Sequence, residues 1–247
     1  MIDMAADREP GVKKFIKKQL RRLLIDTGST RDRRTPIDFI ASRGIDLVMD
    51  VGANAGQFAE FLRSEGYAGK IISFEPIASV FQTLAKKARA DGNWEAHNCA
   101  LGATAGSATI NVAAMSVFSS LLPATRAITA FDAAAVATHP ETIEVRTLDG
   151  VFGRSPGNAL LKIDTQGYEK HVLEGGLRTL PGLKGVLMEL PIVHLYEDTW
   201  QFHEAIAFMS AHGFVPAQIH PVNYHSKDDV SLIEVDCLFR PRDNSVD

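Results

Sequence analysis

DVGANAG, at residues 50–56, joins a β-like run of apolar residues (45–51) to a helical pattern. Gly52 and Gly56 lack a Cβ atom, so a bound molecule can approach the backbone there. Asn54 tolerates the left-handed dihedral angles that glycine normally supplies. The stretch predicts a strand, a tight turn and a helix, with a ligand held against the turn. A plain strand-to-helix turn without a ligand is the alternative.

On both sides of this turn, short apolar runs alternate with helical patterns, as in a parallel sheet joined by crossover helices. We predict strands at residues 45–51, 70–74, 94–101, 159–163 and 185–190, and helices at 57–64, 78–90 and 169–180. Residues 214–219 and 231–239 flank a turn-rich stretch and predict a hairpin whose last strand is antiparallel to its neighbours. The predicted fold is a Rossmann-like α/β fold with an open seven-stranded sheet, mostly parallel with an antiparallel last strand, and helices on both faces.

Two segments lie outside this pattern. Residues 103–147 interrupt the alternation with a Ser/Ala/Thr-rich stretch and predict an insertion or lid within a domain of residues 35–247. Residues 1–34 hold ten basic and five acidic side chains and predict a basic amphipathic helix. Either its apolar stripe packs on the domain, or it contacts anionic lipid or a lipid-linked substrate.

Composition restricts the class of protein. The 247 residues are 45% hydrophobic and 23% charged, which is typical of globular domains and excludes a disordered, collagen-like or coiled-coil chain. The net charge of −4 leaves −9 for residues 35–247, so we expect no nucleic-acid partner. Only two cysteines and no membrane-length apolar run predict a soluble, cytoplasmic protein.

An acidic residue after the second strand points to a nucleoside cofactor. Glu75 follows Gly56 by 19 residues, where a carboxylate can accept hydrogen bonds from ribose hydroxyls. The dinucleotide pattern G-x-G-x-x-G is broken, because Asn54 and Gln57 stand at its second and third glycine positions. Asp50 would repel a pyrophosphate but hold an ammonium or sulfonium group, unless it only caps the loop. These features favour S-adenosyl-L-methionine over NAD.

The chain resembles the FkbM-type S-adenosylmethionine-dependent methyltransferases, a family with the class I methyltransferase fold. The matching stretches are DVGANAG (50–56), FEP (74–76), NCAL (98–101), LKIDTQGYE (161–169), VLEG (172–175) and DCLF (236–239). The resemblance leaves out the basic N-terminal segment. It implies a sheet with a reversed last strand and transfer of a methyl group to a hydroxyl, often on a sugar or a natural-product glycoside.

The resemblance also implies a cofactor site, residue by residue. The methionine portion would be held by Asp50, Gly52, Asn54 and Gly56, the ribose by Glu75, and the adenine would be bordered by Asn98, Ala100 and Leu101. The family commonly has Glu where this chain has Gln166. A role that needs a negative charge at that position therefore does not carry over.

Two carboxylates follow neighbouring predicted strands. Asp164 and Glu189 should be close, because adjacent strands lie about 4.8 Å apart. In related metal-dependent O-methyltransferases, such acids bind Mg²⁺, which lowers the pKa of a bound hydroxyl. The pair therefore predicts a metal site. As alternatives, Asp164 positions the substrate or the methionine amine, and Glu189 pairs with Lys162 or Arg178.

Methyl transfer to an alcohol also needs a proton acceptor, since the pKa of the hydroxyl is near that of water, about 15.7. His194, in the loop after the fifth strand, is the predicted general base, with a surface or capping role as the alternative. Tyr196, Trp200 and Phe118 are candidate sugar-stacking walls, although aromatic residues are more often core.

We therefore expect an S-adenosylmethionine-dependent O-methyltransferase with Asp164, Glu189 and His194 in acceptor chemistry. Its acceptor would be a small molecule or a glycoconjugate. The methylated group would be a hydroxyl of a sugar in a glycoconjugate, glycolipid or secondary metabolite. A homodimer is compatible with the sequence. The alternatives are an NAD-dependent oxidoreductase and a non-catalytic methyltransferase-like binding module.

Overall fold

A computed structural model describes residues 34–131, 133–153, 157–224 and 230–243. The predicted basic helix lies outside these residues, apart from its last position. Within the described part of the chain, no helix is both long enough and apolar enough to span a membrane.

The elements follow the predicted alternation. The strands are β1 (Leu47–Val51), β2 (Lys70–Phe74), β3 (Trp94–His97), β4 (Ala100–Leu101), β5 (Gly106–Ala113), β6 (Ala137–Arg146), β7 (Ala159–Ile163), β8 (Gly185–Pro191), β9 (Phe214–Tyr224) and β10 (Leu232–Pro241). The helices are α1 (Pro36–Ser42), α2 (Gln57–Ser64), α3 (Ala78–Asp91), α4 (Arg126–Phe131), α5 (Leu148–Phe152), α6 (Glu169–Glu174) and α7 (Phe202–Ala211). Short 3-10 turns lie at Ser116–Phe118, Ala133–Ala135 and Leu180–Gly182.

Seven strands form the main sheet, in the order β3-β2-β1-β7-β8-β10-β9. All neighbours pair in parallel up to β8, whereas β10 is antiparallel to both β8 and β9. β1 is buried along its whole length, as expected for a parallel strand covered on both faces. The predicted sheet with its reversed last strand is confirmed.

Alternate residues of the strands build two apolar cores. Val48 and Leu160 pack against side chains of α1, α2 and α3 on one face. Met49 and Leu161 pack against side chains of α5, α6 and α7 on the other. Because successive strand residues point to opposite faces, each central strand contributes to both cores. Helices therefore cover both faces of the sheet, as predicted.

The predicted insertion contributes β5 and β6 to a second, three-stranded sheet in the order β4-β6-β5, whose strand β4 lies just before residue 103. β4 runs parallel to β6, and β5 is antiparallel to it. Its apolar side chains form their own cluster with Ile77, which follows β2. This cluster attaches the second sheet to the carboxyl-terminal edge of the main one.

Two predicted elements were too long. The strand predicted at 94–101 is divided into β3 and β4, because the Asn98 amide donates to the carbonyls of Glu75 and Pro76 at the point where the chain leaves the main sheet. The helix predicted at 169–180 ends at Glu174. There Gly175 packs so closely on Gly102 that a Cβ atom would collide with the Gly102 carbonyl.

Gly56 is required for packing as well as for backbone conformation. Its φ is +87°, and an added Cβ atom would lie 2.6 Å from the Trp94 ring. Gly92 has a similar φ of +81° but no atom within 4 Å of an added Cβ. Left-handed strain costs about 1–2 kcal/mol and overpacking about 1–3 kcal/mol more.

We therefore expect Gly56→Ala to lower the free energy of unfolding by about 2–5 kcal/mol and Gly92→Ala by only about 1–2 kcal/mol. Urea denaturation of the two variants and the parent measures both losses. Equal losses would contradict the packing role of Gly56.

Candidate active site

A cavity opens at the carboxyl ends of β1, β2 and β7, where ligands bind in open α/β sheets. The second sheet and the segment 116–121 form its opposite wall. The space between these walls, with the open mouth included, measures about 880 Å³. Six predicted site residues line it: Gly52, Asn54, Glu75, Ala100, Leu101 and Asp164.

The loop after β1 approaches the loop after β7 at Gly52. Its φ is +75°, and a Cβ atom there would collide with the carbonyl oxygen of Asp164. Asn54 has a φ of +48°, which confirms the predicted left-handed conformation. Its side-chain amide donates to Ser116 Oγ over 2.9 Å. The cofactor loop is therefore fixed on one side by the end of β7 and on the other by the insertion.

Glu75 is a buried carboxylate in the cavity wall, with 4% of its surface exposed. Its Oε2 accepts the backbone N–H of Asn54 at 2.9 Å, and its Oε1 accepts that of Ile77 at 2.8 Å. Burial raises the pKa of Glu75 to about 7, although both N–H groups oppose the shift. Each oxygen has a second lone pair, so the carboxylate can still accept hydrogen bonds from a ligand.

Asn98 positions Glu75 rather than lining the cavity. Its amide holds the carbonyl oxygens of Glu75 and Pro76, each at 2.9 Å. Gly56 also lies outside the cavity wall, behind the loop and against Trp94.

Asp50 lies beneath the cavity and does not line it. It is fully buried, and its Oδ1 is 3.1 Å from Lys162 Nζ. The same ammonium lies 3.4 Å from Asp164 Oδ2. Burial opposes the charge on Lys162, but the two carboxylates outweigh it and raise the pKa of the amine. The Lys162 ammonium therefore connects two predicted site residues, Asp50 and Asp164, whereas the sequence indicated it only as an alternative partner of Glu189.

Asp164 and Glu189 are neighbours, as predicted from the strand order. Ile163 is opposite Met188 in the sheet, so the next residue of each strand end lies side by side. Between them lies the amide of Gln166, whose Nε2 donates to Asp164 Oδ1 at 2.9 Å and to Glu189 Oε1 at 3.3 Å.

This donor set does not fit the predicted Mg²⁺ site. Mg²⁺ needs oxygen ligands in octahedral geometry, whereas here the N–H groups of Gln166 point at the two carboxylates. Among the residues that the structure describes, no group of three or more His, Cys, Asp or Glu side chains could hold a metal ion. The sequence could not reveal this, because the path of the Gln166 side chain depends on the fold.

The structure does not bring His194 to the cavity wall. The loop after β8 bends towards β10, because the N–H groups of Ile192 and Val193 both donate to the carbonyl of Ile233. The carbonyl oxygen of His194 accepts a hydrogen bond from Thr125 Oγ1 at 3.0 Å.

The predicted sugar-stacking residues are core side chains. Phe118, Tyr196 and Trp200 are each at most 6% exposed. The aromatic residues that do line the cavity include Phe74 and Tyr168, and Tyr168 stacks on His171 at a centroid distance of 4.2 Å. Aromatic residues could be assigned to core or cavity only once their packing was known.

Further lining residues come from the insertion. Ser116, Ser119 and Ser120 contribute to the wall opposite the cofactor loop. Gln57, at the start of α2, also lines the cavity. The Ser/Ala/Thr-rich composition of the insertion was the signal in the sequence, but it did not indicate which hydroxyls face the cavity.

The sequence and fold match known methyltransferases. The family described as the methyltransferase FkbM domain matches residues 50–216, more than half of the chain. Methyltransferase 1 of Beauveria bassiana (strain ARSEF 2860) is 25% identical over 189 residues, which cover 71% of this chain and 74% of that protein.

A solved structure shares the fold. The methyltransferase FkbM of Methylobacillus flagellatus KT superposes with a TM-score of 0.50 at 17% identity, over 79% of this chain. The present chain spans 43% of that protein. The likeness supports the class I methyltransferase architecture described above.

The buried ion pair makes Lys162 essential for stability. Lys162→Met leaves the Asp50 carboxylate buried without its cation, which costs about 3–5 kcal/mol. Lys170→Met is the matched control, because Lys170 forms an exposed pair with Glu174 at 4.0 Å that is worth about 0–1 kcal/mol. Urea denaturation near neutral pH compares the two variants. A loss for Lys162→Met no larger than that of the control would contradict this role.

Proposed function

The chain belongs to the methyltransferase FkbM family, and from this we propose that it transfers a methyl group from S-adenosyl-L-methionine to a hydroxyl of a sugar in a glycoconjugate, glycolipid or secondary metabolite. The observation that carries the proposal is the buried Glu75 carboxylate in the wall of the cavity at the sheet edge. We also propose that the enzyme acts in the cytoplasm, without a nucleic-acid partner.

The cavity residues suit the proposed cofactor. Glu75 has acceptor capacity for two ribose hydroxyls, and the apolar side chains of Ala100 and Leu101 suit an adenine ring. The loop at Gly52 and Asn54 would hold the methionine portion, with its backbone open to the ligand. When bound, S-adenosylmethionine supplies a methyl group that is already activated for transfer.

Asp164 is the carboxylate best placed for the acceptor. It lines the cavity, and its two oxygens are held by Lys162 on one side and Gln166 on the other. A carboxylate fixed in this way can accept the hydrogen of an acceptor hydroxyl and orient the oxygen for in-line attack. The serine hydroxyls of the insertion both donate and accept hydrogen bonds, which suits a hydroxyl-rich acceptor such as a sugar.

Removal of the Glu75 carboxylate should weaken cofactor binding. We expect Glu75→Ala and Glu75→Gln to lower the affinity for S-adenosylhomocysteine by about 1–3 kcal/mol, roughly 5- to 150-fold, in calorimetric titrations. Because the pKa of Glu75 is about 7, the affinity of the parent should rise between pH 6 and pH 8 as the carboxylate ionises. That rise should disappear in both variants.

Glu60→Ala is the control for this titration, since Glu60 is an exposed carboxylate of α2 that pairs with Lys87. It should bind S-adenosylhomocysteine like the parent. NADH, as a second ligand, should not bind to any of these proteins. Unchanged affinity in both Glu75 variants would move the ribose site elsewhere.

Asp164→Asn should separate acceptor chemistry from cofactor binding. We expect methyl transfer to a panel of glycosides to fall by roughly 10²- to 10⁴-fold, because the amide is a poor proton acceptor. The affinity for S-adenosylhomocysteine should change by no more than a few fold. Glu197→Gln, at an exposed carboxylate, is the control. Full turnover by Asp164→Asn would contradict its role, and loss of cofactor binding would assign it to the methionine portion.

A further inference from the structure

The backbone of Gln166 is held in an unusual conformation beside the cavity. Its φ is +55°, in the left-handed region that non-glycine residues rarely adopt. Its carbonyl oxygen accepts a hydrogen bond from Ser120 Oγ at 2.7 Å, which ties the loop after β7 to the insertion. Strained backbone of this kind persists where the surrounding contacts fix it, and such positions cluster at functional sites.

The side chain of Gln166 is fixed at both ends of its amide. Nε2 donates to Asp164 and Glu189, and Oε1 lies 3.1 Å from the hydroxyl of Tyr196. The reverse orientation of the amide would point its carbonyl oxygen at two carboxylates. Only the observed orientation satisfies all three neighbours.

Tyr196 requires an acceptor near its hydroxyl. Burial raises the pKa of Tyr196 far above its usual value, and the nearby carboxylates, Glu234 first, raise it further. The hydroxyl therefore keeps its proton and acts as a donor to Gln166 Oε1 or to the carbonyl of Phe118, which is 2.9 Å away. Tyr196 is thus unsuited to act as a general base.

The side chain at position 166 must consequently donate hydrogen bonds to two carboxylates and accept one from the Tyr196 hydroxyl. A neutral amide can do both. A glutamate would add a further negative charge and offer no donor when ionised, whereas a methionine would remove the donor that the two carboxylates share. The Lys162 ammonium, 3.4 Å from Asp164 Oδ2, would remain beside the pair, but it also serves Asp50 and faces Asp236. Like charges on neighbouring side chains disfavour the doubly ionised state of the pair.

We infer that Gln166 is the positioning residue of the acceptor site, and that its amide holds the Asp164 and Glu189 carboxylates together in the place that a divalent cation would otherwise occupy. The consequence for acceptor chemistry rests on the proposed function. The electrostatic role itself does not, because it predicts pH-dependent stability and cation binding in the absence of any acceptor.

Gln166→Met tests the electrostatic role. Without the amide, the carboxylate pair binds a proton more tightly in the folded protein, so its contribution to stability is present at low pH and is lost as the pH rises. The difference in Tm between Gln166→Met and the parent should therefore widen by about 2–4 °C between about pH 5 and about pH 8. Adding Asp164→Asn to the variant should abolish this widening. A loss of Tm that is equal at both pH values would show a packing role only and overturn the inference.

Gln166→Glu tests the cation replacement. With three carboxylates together, this variant should bind Mn²⁺, detected by electron paramagnetic resonance, and adding Glu189→Gln should weaken the binding at least tenfold. The parent should bind no Mn²⁺ at the same concentrations. Gln57→Glu, which adds a charge elsewhere in the cavity wall, is the matched control and should also bind none.

Mn²⁺ binding by the parent that is lost in Asp164→Asn would overturn the inference, as would equal binding by Gln57→Glu and Gln166→Glu. Titration of the same proteins with S-adenosylhomocysteine is measured in parallel. If that ligand fails to bind while the pH and Mn²⁺ results hold, the proposed function fails and the role of Gln166 stands.

Discussion

The structure depends on one buried cation, the ammonium of Lys162. Its side chain is only 12% exposed, lies 5.5 Å from the centre of the Phe58 ring, and reaches both Asp50 and Asp164. A buried carboxylate needs such a partner, and the partner is in reach only when β1 and β7 pair in the observed register. The ion pair that links the side chains of β1 and β7 therefore also reaches the Asp164 carboxylate at the cavity.

Each carboxylate around the cavity is held by donors that the fold provides. Glu75 receives two backbone N–H groups, and Asp164 receives an ammonium and an amide. The donors come from different elements, so the site is complete only when the loops after β1 and β7 and the insertion have all assembled. Such preorganisation leaves little to rearrange when a ligand binds. Because Ser116 and Ser120 fix both loops, the insertion contributes to the site directly.

Local sequence patterns predicted the features that depend on neighbouring residues and on the order of the strands. The turn at Asn54, the strand that ends just before Glu75 and the proximity of Asp164 to Glu189 all follow from strand periodicity and strand order. The errors concern features that depend on tertiary packing. His194 was assigned by its place in the loop after the fifth predicted strand, but the hydrogen bonds to Ile233 direct this loop towards β10, and His194 does not line the cavity. The amide of Gln166 between the two carboxylates has no counterpart in any sequence pattern, since the contact exists only after β7 and β8 have paired.

The central claim is that the cavity at the sheet edge binds S-adenosylmethionine with its ribose on Glu75. A crystal structure of the chain with S-adenosylhomocysteine tests it most directly. We expect the ribose hydroxyls within hydrogen-bond distance of the Glu75 carboxylate and the adenine against Leu101. A nucleoside bound elsewhere on the chain, or in the cavity with its ribose away from Glu75, would contradict it.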